Sequence, residues 1–253
     1  MTRPRLALAA LGLLLLLAAG CGGGAKETGT ATTHELTVTA TSAPRPIRLR
    51  VYLLRDGKVA PVAREAPGTT AVAGAALSAL GRGPTDDERS QGLTTDLPPA
   101  PRFDLELLDG VLRLGGADDL RRPALAQVVF TATQFASVRA VEVGGRELRR
   151  ADFEQETPAI LVETPLPGER VTGPLRVAGT ANTFEATFML QLFAGDRKLY
   201  DHFVTATSGS GTRGTYEASV PFDVKGAGRL VVFEASAEDG RPLHRVEIPL
   251  ELG

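Results

Sequence analysis

Three histidines, one cysteine and a few short acidic runs are the residues from which chemistry could be built. His34, His202 and His244 lie far apart, and none stands in a His-Glu-x-x-His pattern or at another metal-ligand spacing. Ser208 and Ser210 fall in Thr207-Ser208-Gly209-Ser210-Gly211, which suits a flexible loop and lacks the Gly-x-Ser-x-Gly elbow of a hydrolase nucleophile. Asp86-Asp87-Glu88 could hold a cation, yet Thr85 followed three residues later by Glu88 is the spacing of a capping box at a helix start. Glu238 and Asp239 could bind calcium, although Glu-Asp-Gly already makes an adequate hairpin turn. Glu185 and Glu234 lie beside apolar strand residues. They could receive a basic group from a partner or cap backbone groups, and His244 could pair with Glu234 across neighbouring strands. No catalytic set, no metal site and no cofactor site follows from these residues, and no binding residue is assigned.

The cysteine has a different chemistry. Arg3 and Arg5 precede an almost unbroken Leu/Ala run from Leu6 to Leu17, too short for a comfortable membrane span and right for a signal peptide. Leu17-Ala18-Ala19-Gly20-Cys21 comes next and resembles a bacterial lipobox, with small residues directly before a cysteine. The resemblance implies cleavage after residue 20 and a diacylglyceryl thioether on Cys21. As the only cysteine, it leaves no intramolecular disulfide to form. Each buried methylene of a lipid contributes roughly 0.8 kcal/mol, so two or three chains anchor stably. The expected location is the extracytoplasmic face of the cell membrane, held by the lipid.

Losing Arg3 and Arg5 from the 28 basic residues leaves 26 against 30 acidic, a formal charge of −4. That argues against nucleic acid as a partner. The absence of tryptophan disfavours an aromatic platform for carbohydrate. Residues 21–46 comprise the lipidated cysteine and a stretch of Gly, Ala, Thr, Ser and Pro too poor in apolar groups to offset its ordering entropy. Such a tether of about 25 residues would hold the first folded domain roughly 25–30 Å from the bilayer.

Folded sequence begins at Ile47. Ile47, Leu49, Val51 and Leu53 alternate with Arg48, Arg50 and Tyr52, the period of a half-buried strand. Arg55-Asp56-Gly57-Lys58 then predicts a hairpin turn with a return strand over Val59–Arg64. Val72, Ala76, Leu77 and Leu80 predict a helix over Thr70–Leu80, stopped by Gly81 and Gly83-Pro84. Phe103, Leu105 and Leu107 pair through Asp109-Gly110 with Val111, Leu112 and Leu114. A second helix is expected over Leu120–Phe135, with Leu125, Val128, Val129 and Ala132 as its buried stripe. Val138–Val143 closes the unit and Gly144-Gly145 turns into Arg146–Leu148. The order ββαββαβ defines an α+β domain over residues 47–150, its helices on a mainly antiparallel sheet.

Two stretches of this domain carry a resemblance. Leu80 to Leu93, with Gly83-Pro84, Glu88 and Gly92-Leu93, and Ala126-Gln127-Val128-Val129-Phe130-Thr131-Ala132-Thr133-Gln134-Phe135, followed by Val138, Val141 and Gly145, resemble the GerMN domain of sporulation and germination proteins. After a change in texture over Ala151–Pro158, the helical period disappears. Seven short alternating runs take its place: 160–163, 175–179, 185–193, 198–206, 215–222, 229–237 and 243–250, as expected of a sandwich. In the third, Phe188, Leu190 and Leu192 share one face and Met189, Gln191 and Phe193 the other, which predicts an internal strand. Pro165, Pro167-Gly168, Val171, Gly173-Pro174, Val177, Gly179, Phe184-Glu185, Phe233 to Gly240, His244 and Ile248-Pro249-Leu250 resemble the Gmad2 immunoglobulin-like domain over about residues 158–252.

The paired resemblance implies a non-enzymatic binding or assembly module of the cell envelope, linked to sporulation or germination. Its partners would be the membrane through the lipid, and an envelope protein or cell-wall component. The resemblance leaves homo-oligomers open. A cell-wall hydrolase would need a catalytic constellation that the chain does not display. A solute-binding lipoprotein would need two α/β lobes, against which the all-β second half argues.

Overall fold

A computed structural model describes residues 45–253. Strand β1 (Ile47–Arg55) pairs antiparallel with β2 (Lys58–Ala66) through nine residue pairs. The two-residue turn between them needs positive φ at both positions, and Asp56 (50°) and Gly57 (73°) supply it. Helix α1 (Val72–Gly81) packs Ala73, Ala76, Leu77 and Leu80 inward. Gly81 stays helical. The stop falls at Gly83, whose φ of 68° is the left-handed cap that glycine allows and whose N–H donates to the Leu80 carbonyl at 2.9 Å. A short helix α2 (Asp86–Ser90) leads into β3 (Leu93–Thr94), which pairs with the end of β1. The hairpin of β4 (Asp104–Leu108) and β5 (Val111–Gly115) turns at Asp109-Gly110 as expected. Helix α3 (Arg122–Ala132) is shorter than its apolar pattern; Pro123 sits in its first turn. It is followed by β6 (Ala140–Val143), parallel to β5, and β7 (Arg146–Leu148). The strands form two sheets, β2-β1-β3 and β4-β5-β6-β7, rather than one.

Helix α3 does more than cover a sheet. Away from β2, only the last two residues of β1 have a strand partner, β3. The remaining backbone groups on that side need other partners, because an unpaired buried amide costs about 1–3 kcal/mol. Side chains of α3 and the residues just after it supply them. Gln127 Nε2 donates to the Tyr52 carbonyl at 3.0 Å, and Tyr52 N–H donates to Thr131 Oγ1 at 3.1 Å. Farther along β1, Arg50 N–H donates to Gln134 Oε1 at 3.2 Å and its carbonyl accepts from Gln134 Nε2 at 2.6 Å. Gln127 Oε1 also accepts from Asp96 N–H at 2.9 Å. Positions 127, 131 and 134 follow the helical repeat, so one polar line on an otherwise apolar helix serves as the missing strand.

With that helix on it, β1 is not half-buried. Val51 to Leu54 are all buried, so both faces are covered over its second half. Two 3₁₀ turns over Arg150–Glu156 carry the chain into the sandwich. All seven expected strands are present: β8 (Ile160–Thr164), β10 (Leu175–Ala181), β11 (Thr187–Ala194), β12 (Arg197–Thr205), β13 (Gly214–Val220), β14 (Gly226–Ala235) and β15 (Pro242–Leu252). An eighth, β9 (Glu169–Val171), is a three-residue segment between Pro167-Gly168 and Gly173-Pro174 that lies parallel to the end of β15. The sheets are β13-β10-β8 and β12-β11-β14-β15-β9, and β11 is internal.

Strand β8 belongs to both cores. Ile160 and Val162 join the sandwich core around Phe188, Leu190 and Leu230, while Leu161 between them joins the α+β core with Tyr52 and Phe130. Phe153 of the connecting turn also packs in the first core. Residues 45–253 accordingly form one compact unit. Gly179 lets β10 approach β8, since a Cβ there would stand 1.9 Å from the Leu161 carbonyl oxygen.

Candidate functional site

The groups nominated from sequence are dispersed. Cys21 and His34, with the signal and tether segments up to residue 44, lie outside the described residues. His202 on β12 is exposed and packs against Tyr200, ring centroids 4.5 Å apart. His244 Nε2 on β15 is 3.8 Å from Glu234 Oε2, the cross-strand pairing that the sequence suggests. Glu234 Oε1 accepts from Phe184 N–H at 2.8 Å, which is a backbone-capping role. Glu185 has a left-handed φ of 53°, and its N–H donates to Ser210 Oγ at 3.0 Å. Ser208 and Ser210 lie in the loop before β13. Glu238 and Asp239 form an exposed turn, with Asp239 Oδ2 3.2 Å from Arg241 Nε. Among the described residues no group of three His, Cys, Asp or Glu could hold a metal ion.

Thr85 and Glu88 form both bonds of a capping box: Glu88 N–H to Thr85 Oγ1 at 3.2 Å and Thr85 N–H to Glu88 Oε2 at 2.8 Å. Arg64 of β2 adds two bonds to the Glu88 carboxylate at 2.7 and 2.6 Å. Partial burial would raise the Glu88 carboxyl, but Arg64 and the Thr85 backbone together hold it below the ordinary value. Its role is to fix α2 on the sheet.

Two clusters that no sequence motif marks join the halves of the molecule. In the first, the Tyr52 hydroxyl donates to Glu163 Oε1 of β8. Arg150 Nη1 donates to the same oxygen at 2.8 Å, Arg150 Nη2 to the Phe130 carbonyl at 3.1 Å, and Arg150 Nε to Thr133 Oγ1 at 2.9 Å. The Arg150 guanidinium carbon lies 4.8 Å from the Phe130 ring centre, and Arg50 Nη1 donates to the Glu163 carbonyl at 2.8 Å. Burial alone would push the Glu163 carboxyl up; Arg150, the Tyr52 hydroxyl and Arg50 hold it below the usual range. Burial, then the Glu163 charge, pushes the Tyr52 hydroxyl far above its ordinary value. Tyr52 is wholly enclosed, and the cluster acts as a structural lock between the two domains. In the second, Glu154 of the connecting turn receives Arg213 at 2.8 and 2.9 Å and Asn182 Nδ2 at 2.8 Å.

A groove of about 530 Å³ opens beside these locks, between the β1–β2 hairpin and the sandwich. Lys58 to Val62 of β2 and His244 to Ile248 of β15 line it as consecutive residues. Consecutive lining residues represent both pleat faces, so strand edges border the groove. Its walls are mainly apolar, as small-ligand and peptide sites are. Arg55 and the charged ends of Lys58, Arg213, Arg245, Asp56, Glu154 and Glu247 surround it.

An α+β domain followed by an immunoglobulin-like sandwich defines the class of protein. Residues 50–148 match the Germane family model, described as sporulation and spore germination, and residues 159–241 match Gmad2, the immunoglobulin-like domain of bacterial spore germination. The chain therefore carries a Germane domain followed by a Gmad2 domain, the pairing that the GerMN and Gmad2 resemblances implied. Neither description names a catalytic activity. No curated protein matches the chain. Two solved structures align with parts of it. An engineered structural-genomics target shares 12% identity over 39% of this chain and 20% of its own, with a TM-score of 0.30. The fibronectin(III)-like modules of Clostridium thermocellum CbhA share 19% identity over 36% of this chain and 91% of theirs, with a TM-score of 0.24. The chain thus spans about a fifth of the engineered protein's length.

Proposed function

We propose that the chain is a lipid-anchored binding and assembly module on the extracytoplasmic face of the cell membrane, serving sporulation or germination without catalytic turnover. The observation that carries this reading is the pairing of Germane and Gmad2 domains in one compact unit. Locked domains suit a platform that presents a fixed surface to a partner. The lipobox-like Leu17-Ala18-Ala19-Gly20-Cys21 supports the anchor, and the spacer-like composition after it supports presentation beyond the bilayer. An envelope protein or cell-wall component is the partner this reading requires.

Fractionation tests the anchor. Wild-type chain should sediment with membranes and carry acyl mass on Cys21, whereas Cys21→Ser should be released or remain unprocessed. Cross-linking in intact cells should then capture a specific envelope partner with the wild-type chain. Hydrolysis of purified peptidoglycan or ester substrates, abolished by changing a single Ser, His or acidic residue, would defeat the non-catalytic reading.

A further inference from the structure

We infer that the groove between the hairpin and the sandwich binds an extended peptide segment bearing a carboxylate, which pairs with the β15 edge and is held by Arg55. The inference rests on the reading of the chain as a binding module and assigns that module a site.

The two strand edges bordering the groove are not equivalent. Because Tyr52 gives its N–H and C=O to α3, it makes no backbone bonds to Pro61 opposite it in β2. The Tyr52–Pro61 position is then a non-hydrogen-bonded pair, and the backbone of Pro61 faces outward. Proline has no N–H to offer, so the β2 edge is blunted at the groove. The edge of β15 is open. Away from β14 it pairs with β9 only over Leu250 to Leu252, and Gly168 N–H takes the Pro249 carbonyl at 2.8 Å. Pro249 therefore faces away from β14. Two residues earlier in the same unbroken register, Glu247 turns its N–H and C=O the same way, into the groove. A peptide strand laid there would extend the track of β9 and draw specificity from its alternate side chains.

Charge specifies the peptide further. Four basic and three acidic side chains line the groove. Arg213 is paired with Glu154, and Arg245 with Glu247 at 2.7 Å. Lys58, Arg55 and the turn residue Asp56 remain, a net positive charge in a chain whose overall charge is −2. Lys58 Nζ donates to the Gln155 carbonyl. Arg55 makes no hydrogen bond or ion pair through its side chain among the described residues, and its Nε is buried with no acceptor. The terminal Nη groups of Arg55, which are not enclosed, likewise have no partner among the described residues, and a carboxylate in the groove would give them a charge-assisted pair. The partly exposed apolar side chains of the groove, Ala60, Pro61 and Val246, receive apolar residues on either side of the acid.

The test is selection from a displayed random heptapeptide library on the full-length chain, followed by affinity measurement by fluorescence anisotropy. Enriched peptides should carry Asp or Glu flanked by Val, Ile or Leu. Changing that acid to its amide should weaken binding about tenfold or more, and Arg55→Gln should weaken it equally, with no further loss when the two changes are combined. Arg55→Lys should restore part of the affinity. Arg176→Gln, an exposed arginine of β10 paired with Glu217 of β13 on the sheet that lacks β15, should change nothing. Failure to enrich any peptide over the heat-denatured chain overturns the inference, as does affinity indifferent to Arg55→Gln. Binding of free octanoate at Arg55 with no peptide bound would assign the groove to small carboxylates and overturn it too. Should Arg55→Gln still capture the envelope partner in cells, the binding-module reading stands and only the groove assignment falls.

Discussion

The Tyr52 hydroxyl donates to the Glu163 carboxylate across 111 residues of chain, joining the central strand of the first domain to the first strand of the second. Arg150, on the turn between them, completes the set with a bond of 2.8 Å to the same carboxylate. Replacing one member leaves the others buried with an unmatched charge or donor.

Glu163→Gln should therefore destabilise the protein although it preserves shape. The expected loss is about 2–3 kcal/mol, below the usual range for breaking a buried pair because 27% of the Arg150 side chain remains exposed. Urea unfolding at neutral pH measures it. Combined with Tyr52→Phe, the loss should be smaller than the sum of the single changes.

Acid should act on the same contacts. The carboxyls of Glu163 and Glu154 both lie below the ordinary 4.5 in the folded protein. A depressed folded-state value adds stability that is fully present above the unfolded-state value and is lost as pH falls through the folded one. Stability against urea should be level above about pH 5.5 and decline below about pH 4.5. In Glu163→Gln the decline should be shallower.

Strand β8 makes a further prediction because adjacent residues face different cores. Leu161→Ala should cost about 2–5 kcal/mol and speed amide hydrogen exchange first in β1 and α3. Ile160→Ala should cost a similar amount and speed exchange first in β10 and β11. By the same logic, a fragment ending at residue 157 lacks Leu161 and Glu163 and should be less stable than one ending at 165. Equal stability of the two fragments would show that β8 contributes nothing to the first domain.

Gln127 offers a sharper test of how α3 substitutes for a strand. Gln127→Leu fills similar space but removes the acceptor for Asp96 N–H and the donor to the Tyr52 carbonyl. Each buried group left unpaired should cost about 1–3 kcal/mol. Gln127→Glu keeps the acceptor and loses the donor, so by unfolding its cost at acidic pH, where the carboxyl is neutral, should be the lesser.

What the sequence displayed was local. Asp56-Gly57 and Asp109-Gly110 specify turns through the φ values they tolerate, Thr85 and Glu88 specify a helix start through a spacing of three, and seven runs of period two became seven strands. Resemblance marked Gln127, Thr131 and Gln134 without revealing their task, which depends on a strand some 80 residues earlier in the chain. Tyr52 alternated with arginines and so suggested a solvated face; the lock with Arg150 and Glu163 encloses it instead. One signal for that lock was present. Ile160-Leu161-Val162 is an unbroken apolar run, as are Phe188-Met189-Leu190 and Leu230-Val231-Val232-Phe233 of the internal strands, and as a strand covered on both faces should be. The groove left no such trace, because Arg55 and Glu247 come together only through the packing of two domains.

The register of β1 also determines how the molecule meets force. The strand begins at Ile47, opposite Ala66, and runs nine paired residues to the turn at Asp56. Consider a pull applied at Ile47 and directed along β1. It loads the β1–β2 ladder and the Gln134, Thr131 and Gln127 bonds in shear, so that they resist together instead of unzipping one after another. Resistance to such a pull is set by the unfolding rate and not by equilibrium stability, so a chain anchored at that end could be mechanically strong while remaining only modestly stable.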